Sequence, residues 1–346
     1  MNGVLTNDVR NVCALLPRSL RLLEISFVGL DSEEDEASLL QLLPSRFPSL
    51  STIKLWGYPG TGAERVYTEL GAMLSRFREL KYVFLNGPSF TENIARALSE
   101  LPLLTTLEFV SSYRPRPFQW VPTANIFPVL SKMDVHLDLG KTTRVLLLDI
   151  ATSRSLQHLV ITHGKAFHPT AELGSIISVI VQHTQLRQLS LKRVAVRAFD
   201  RYIVQQVGGC GTLEKLELEI QATEGSVEVT DEDVGRMLEG LGRLTTFRFH
   251  LAKKQKPVIT LQTLVLALQN CPRVEHVSPF VDATSSKILE PIAYRPHQHL
   301  RSLDFVTGPS ISHIGSPEEV AAFLSPMSIC TVGVERPRLG SDAAMG

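Results

Sequence analysis

The chain has 346 residues, 44% of them apolar and 20% charged, and its 35 basic and 35 acidic side chains cancel to a formal net charge of zero. That content is ample for a packed core and too apolar for disorder, and the balance excludes a general nucleic-acid or anionic-membrane binder, because both need a strong positive field. No apolar run approaches the ~18 residues of a spanning helix, no basic stretch followed by an apolar one opens the chain, and no Asn-x-Ser/Thr acceptor occurs, so the expected setting is soluble and intracellular, cytoplasmic or nuclear.

Taken in chain order, one phrase of the form L-x-x-L-x-L recurs from end to end. It reads LRLLEI at Leu20, LSTIKL at Leu50, LKYVFL at Leu80, LTTLEF at Leu104, LSKMDV at Leu130 and LQHLVI at Leu156. It continues as LRQLSL at Leu186, LEKLEL at Leu213, LTTFRF at Leu244, VEHVSP at Val274, LRSLDF at Leu300 and ICTVGV at Ile329. These twelve starts lie 24 to 31 residues apart. A single hexamer of this kind is cheap in an apolar chain, whereas a near-periodic series is the mark of a repeat architecture.

Between most phrases lies a segment with helical spacing: EASLLQLLPSRF, RVYTELGAMLSRF, ENIARALSEL, LGSIISVIVQHT, DEDVGRMLEGL, LQTLVLALQN and EEVAAFLSPM. Val66, Leu70, Met73, Leu74 and Phe77 recur at helical intervals and give one buried stripe. Ser316-Pro317-Glu318-Glu319, Thr230-Asp231-Glu232-Asp233 and Thr91-Glu92 carry N-terminal capping signals. Glycine often follows the phrase (Gly29, Gly57, Gly87, Gly140, Gly164, Gly308), where the chain must turn. One strand and one helix cannot bury their own apolar faces, but stacked copies can. The expected fold is therefore α/β: a single horseshoe-shaped solenoid over residues 1–346, about 11–12 repeats, with a parallel sheet on the concave face and helices on the convex face.

A repeat of about 28 residues with a full helix resembles the ribonuclease-inhibitor-like class of leucine-rich repeats. Position nine of the copies (Val28, Tyr58, Pro88, Ser112, Asp138) lacks the asparagine or cysteine of that pattern. The loose phrases LTTLEF, LQHLVI and LRSLDF, separated by helices of variable length, resemble the repeat region of fungal F-box–leucine-rich-repeat proteins. That resemblance implies a non-catalytic module that recognises a substrate for a ubiquitin ligase. In that family an N-terminal F-box, a three-helix segment, recruits a Skp-type adaptor. The first phrase already starts at Leu20, so no F-box is expected within this chain, and an adaptor would bind only if one lies outside it. The alternative implied by the same class is a stand-alone regulator or inhibitor of an enzyme, ribonuclease-inhibitor-like or Ran GTPase-activating-like.

Signs of chemistry are sparse, and no catalytic, cofactor-binding or metal-binding residue is expected. Gly57-Tyr58-Pro59-Gly60-Thr61-Gly62 sits between a strand and a helix, as a dinucleotide loop would, but Arg65 occupies the third-glycine place and no Gly-Lys-Ser/Thr follows, so a repeat turn is the reading. The run Asp31-Ser32-Glu33-Glu34-Asp35-Glu36 is expected to be a solvated first helical turn that complements the helix dipole. Lys253-Lys254-Gln255-Lys256 reads as a solvated loop. His136, His158, His250 and His276 fall singly on exposed strand positions, without metal-ligand spacing. Cys13, Cys210, Cys271 and Cys330 lie far apart, as small buried hydrophobes do. The phrase leucines, among them Leu107, Leu159, Leu189 and Leu216, form the expected core.

The remaining strand positions face outward on the inner wall. The third, fifth and seventh positions bring Trp56, Tyr82 and Phe84 together on neighbouring strands, and grouped exposed aromatics mark interaction surfaces. After Leu104 a helix gives way to SSYRPRPFQWVPTANIFP, whose prolines forbid an ordinary helix. The expected partner-binding patch on the concave face is Trp56, Tyr82 and Phe84 with Arg114, Arg116 and Trp120 of this segment. The partner is expected to be another protein; no membrane partner is expected, and nucleic acid is not favoured.

Overall fold

The computed structural model describes residues 13, 15–27, 33–57, 64–87, 91–110, 127–137, 155–163, 170–197, 199–222, 227–253, 256–283, 299–306, 313–314 and 331–335. They fall in two compact units, Met1–Ala166 and Phe167–Gly346. In both, strand–helix repeats stack as in an α/β leucine-rich-repeat solenoid.

In the first unit, strands β1 (Leu22–Ser26), β2 (Thr52–Trp56), β3 (Tyr82–Asn86), β4 (Thr106–Val110), β5 (Lys132–Leu137) and β6 (His158–His163) each pair in parallel with the next. Pairing follows the phrase position by position: Leu22, Thr52, Tyr82, Thr106, Lys132 and His158 form one row across the sheet. The sequence reason is visible in the backbone just before each strand. The N–H of the phrase-leading leucine bonds to a carbonyl three residues back, as Leu50 does to Phe47 at 3.3 Å and Leu130 to Phe127 at 3.3 Å. Pro48, Pro102 and Pro128 stand at the second position of these turns, where a fixed φ favours the bend. The carbonyl of the second phrase residue then accepts two N–H groups from the following repeat: Arg21 from Ser51 and Thr52, Ser51 from Lys81 and Tyr82, and Lys81 from Thr105 and Thr106. This ladder sets the register before the strand begins.

Helices α1 (Glu33–Arg46), α2 (Glu64–Ser75) and α3 (Glu92–Ser99) separate the first four strands. Thr91 caps α3 by accepting from the Ile94 N–H, and Glu92 pairs with Arg96 one turn on. The phrase residues Ile53, Leu55, Val83, Leu85, Leu107, Phe109 and Leu159 are wholly buried. Residues 111–126, which follow β4, lie outside the described residues; beyond them the buried ring of Phe127 fills the turn place that Phe47 and Phe77 take earlier. Phe127 does so at φ 50, a left-handed conformation that costs a residue with a Cβ about 1–2 kcal/mol.

The second unit repeats the plan with strands β7 (Gln188–Val196), β9 (Lys215–Ala222), β11 (Thr246–Lys253), β14 (His276–Pro279), β16 (Ser302–Val306) and β18 (Thr331–Glu335), joined in parallel in that order. Leu189 and Leu216 are fully buried there. Helices α4 (Thr170–Ile180), α5 (Arg201–Gly208), α6 (Asp231–Glu239) and α7 (Leu261–Asn270) accompany them. The segment EEVAAFLSPM lies outside the described residues.

The expected single sheet is here supplemented by short extra strands. β8 (Phe199–Asp200) pairs with β10 (Val227–Glu228), and β13 (Ile259–Thr260) and β17 (His313–Ile314) flank β15 (Val281–Ala283), all in parallel. These bridges deliver the chain to helix caps: Asp200, Thr230 and Thr260 cap α5, α6 and α7. Asp231 of α6 also accepts from the Thr260 N–H at 2.9 Å and from the Thr260 and Thr263 hydroxyls, so one repeat anchors the next helix. Of the run Lys253–Lys256, Lys253 ends β11 and Lys256 opens β12 (Lys256–Pro257), which pairs antiparallel with β11, and residues 254–255 lie outside the described set.

Candidate functional site: the open strand face of the first unit

On each strand the residues that alternate with the buried leucines line the face opposite the core. The register places Trp56, Lys54 and Thr52 of β2 beside Asn86, Phe84 and Tyr82 of β3. Trp56, Tyr82 and Phe84 are thus brought together as the phrase implies, and all three are half-buried. The Trp56 and Phe84 rings lie 4.4 Å apart between centroids at a tilt of 46°.

Polar partners fix the rings from both sides. The Trp56 indole N–H donates to Glu24 Oε1 at 3.0 Å, and Glu24 Oε2 is 3.6 Å from the Lys54 ammonium. The Tyr82 hydroxyl donates to Glu108 Oε2 at 2.8 Å, and Glu108 Oε1 accepts from Lys132 Nζ at 2.7 Å. Burial alone would raise the Glu108 carboxyl, but the hydrogen bonds from Lys132 and Tyr82 and the charges of Lys132 and Lys54 outweigh it and hold the group below its ordinary range. Burial, reinforced by the bond to Glu108 and by its charge, pushes the Tyr82 phenol well above the usual tyrosine value. The phenol is therefore a permanent donor and the carboxylate a permanent acceptor at neutral pH. The result is a set of amphipathic rings whose polar tips are satisfied and whose bodies are held in place. Arg114, Arg116 and Trp120 lie outside the described residues.

The supporting charges Glu24, Lys54, Glu108 and Lys132 belong to the third and fifth phrase positions, so their placement was readable. Their pairing was not, because it depends on side-chain reach across strands. Leu22, in the same row as Tyr82, is 53% exposed at the first strand of the unit.

The open face of the second unit carries a different cluster. Glu217 accepts from the Ser190 hydroxyl at 2.7 Å and faces Lys215 at 3.0 Å and Lys192 at 3.6 Å. Burial works to raise its carboxyl, and these bonds and charges lower it on balance. His250 corrects the expectation of an exposed histidine: burial, with the nearby Arg248 charge, lowers it to about 4. Its ring meets Phe280 edge-on at 5.1 Å, and Nε2 has no hydrogen-bond partner. His136 and His158 are half-buried, and His276 is exposed as expected, bonded to the Ser302 hydroxyl at 2.8 Å.

Other sequence expectations resolve individually. Gly57 takes φ 67 and donates its N–H to Asn86, the geometry of a turn leaving a strand, whereas residues 58–63 lie outside the described set. Glu36 is buried, contrary to the solvated turn expected of the whole acidic run. Cys13, Cys210 and Cys271 are free and buried, with burial raising each thiol, and Cys330 lies outside the described residues. Among the described residues, no group of His, Cys, Asp and Glu is arranged to hold a metal ion, and no helix is long and apolar enough to cross a membrane.

No family model matches the sequence, and no characterised protein matches it. Solved structures that resemble it include the yeast Rad7–Elc1 complex, at 15% identity and a TM-score of 0.38 over 92% of this chain and 90% of that one. A leucine-rich-repeat protein of Leptospira interrogans gives 14% identity and a TM-score of 0.28 over 91% and 90%. The complex of TLR13 with the RNA ssRNA13 gives 14% and 0.30 over 84% of this chain and 45% of that one. The recurring phrase, its parallel register and the turn ladder make this a chain of leucine-rich-repeat architecture.

Proposed function

We propose that this chain is a non-catalytic recognition module that binds another protein through the open strand face of its first unit. Trp56, Tyr82 and Phe84 would be its anchors, with Arg114, Arg116 and Trp120 of the adjoining proline-rich segment completing the patch. The observation that carries the reading is the Trp56–Phe84 ring pair, held on a half-buried face by hydrogen bonds that fix Trp56 and Tyr82. Rings fixed in advance lose little freedom on binding, and aromatic and arginine side chains most often dominate interface energetics. We further propose, from the resemblance of the repeat phrases to F-box–leucine-rich-repeat proteins, that the partner is a substrate presented to a ubiquitin ligase. A Skp-type adaptor would join through an F-box outside this chain.

Affinity capture with the wild-type chain, Trp56→Ala and Tyr82→Ala tests both levels. The expected result is a partner recovered by the wild type, lost in both variants, and melting temperatures within a few degrees of each other. Adaptor and cullin peptides in the wild-type capture support the ligase role, and a single stoichiometric enzyme in their place overturns it in favour of an enzyme regulator. Normal binding by both variants overturns the patch.

A further inference from the structure

A second surface of the first unit carries charge that the described residues do not neutralise. The strand-start edge is made by the turns and the second phrase positions. There the backbone ladder runs from Arg21 through Ser51 to Lys81 across three neighbouring repeats, a span of about 10 Å at the usual strand spacing. Arg18 lies in the turn before β1, and Arg76 and Arg78 lie between α2 and β3. All five cations, Arg18, Arg21, Arg76, Arg78 and Lys81, are exposed. Arg21 is engaged, reaching Glu79 at 2.8 Å. The side chains of the other four form no hydrogen bond or ion pair among the described residues.

The helix dipole favours a cation at Arg76, beside the last residue of α2, but does not account for Arg78 and Lys81. Its effect fades within the last turn, and Arg78 and Lys81 stand beyond the end of α2. The fold does not demand charge in this row either, since Thr105, Ser131 and Gln157 occupy it in the next repeats. In the second unit the same edge is partly neutralised in place, Arg187 facing Glu214 at 3.4 Å and Arg301 facing Glu275 at 3.2 Å.

We propose that the strand-start edge formed by Arg18, Arg76, Arg78 and Lys81 docks an acidic polypeptide segment. Charge complementarity selects the sign of the partner. A polypeptide fits better than a nucleic acid because these cations are few, Glu79 stands among them, and the chain as a whole is neutral; nucleic-acid affinity grows with the number of phosphates neutralised. The exposed Leu22 follows Arg21 directly and offers apolar contact that a peptide side chain can use. This edge adjoins the aromatic face proposed above but rests on charges rather than rings, so the two readings can fail separately.

The test uses the full chain and a fluorescein-labelled peptide of about six Asp and Glu residues around one Leu, long enough in extended form to span the edge. Fluorescence anisotropy should show binding that weakens as salt shortens the screening length and that a lysine-substituted peptide does not reproduce. Arg78→Glu with Lys81→Glu should weaken binding about tenfold or more, while Arg243→Glu with Arg273→Glu, in the corresponding turns of the second unit, should leave it unchanged. If the first pair lowers the melting temperature, Arg78→Gln with Lys81→Gln replaces it, with a smaller loss expected. Undiminished binding in the charge-altered chain overturns the proposal. So does a single-stranded oligonucleotide that binds as tightly and is lost in the same variants. Loss in Trp56→Ala alone also overturns the edge and leaves the aromatic face standing.

Discussion

At Glu36 the carboxyl is buried with Oε2 unpartnered, and burial, together with the Glu33 charge, raises it to about 7. A raised carboxyl binds its proton more tightly in the folded state. The stability this gives is complete below the unfolded value and is lost as pH rises toward 7. Glu36→Gln, which cannot ionise, should therefore match the wild type near pH 4 and exceed it near pH 8, by on the order of 2 kcal/mol. Urea unfolding at the two pH values checks this, and a pH-independent difference would show that Glu36 is solvated. Glu108 runs the other way. Its lowered value means a contribution present above the unfolded pKa and lost as pH falls through the folded one. Glu108→Gln should cost about 1–2 kcal/mol at neutral pH and progressively less in acid, and an equal cost in acid would show that the carboxylate's charge adds nothing. The sequence allowed Glu36 to be placed correctly: it stands three, four and seven residues before Leu39, Leu40 and Leu43, on the buried stripe of α1. Reading the acidic run as a block hid that spacing. The pairing of Glu108 with residues 26 and 24 positions away could not be seen without the register.

Between elements, close approach is set by glycine where α5 and α6 end. A Cβ placed on Gly240 would collide with the Gly208 carbonyl oxygen, so backbone must move to admit it. Gly242, two residues on, has nothing within 4 Å of the place a methyl group would take. Gly240→Ala should thus destabilise by roughly 1–3 kcal/mol, whereas Gly242→Ala should be neutral or slightly stabilising. Equal effects in thermal melts would mean that the neighbouring repeat can shift freely. The six helices α1–α4, α6 and α7 were legible because their apolar stripes run through two or more turns. α5 was not: Ile203, Val204 and Val207 are its whole buried stripe, set among glutamines in eight residues. The short strands before the caps were equally hidden, since two-residue bridges carry no period. A bulge in β7 has the same origin: Lys192 and Arg193 oppose Glu219 alone, with Arg193 at φ 55, a conformation propensity does not announce in a lysine–arginine pair.

At the scale of the molecule, the phrase dictates which residues are core, and it does so by linking each repeat to its neighbours. In the first unit strands β2 to β5 each pair with the strands before and after them, and the turn ladder adds backbone bonds between successive repeats. Such an array has few contacts between distant repeats, so its stability is a sum of local repeat and interface contributions. Leu107 is fully buried in β4, between β3 and β5. Helix α3 leads into this strand. Leu107→Ala should cost about 2–5 kcal/mol at that site, with the loss confined to adjoining repeats. Hydrogen exchange read by mass spectrometry should show protection falling most in β4, then in β3, β5 and α3, and least in β1, because sub-global opening exposes the weakened unit first. An equal fall from β1 to β6 would show that the unit unfolds as one cooperative body, and the nearest-neighbour account of its stability would then be wrong.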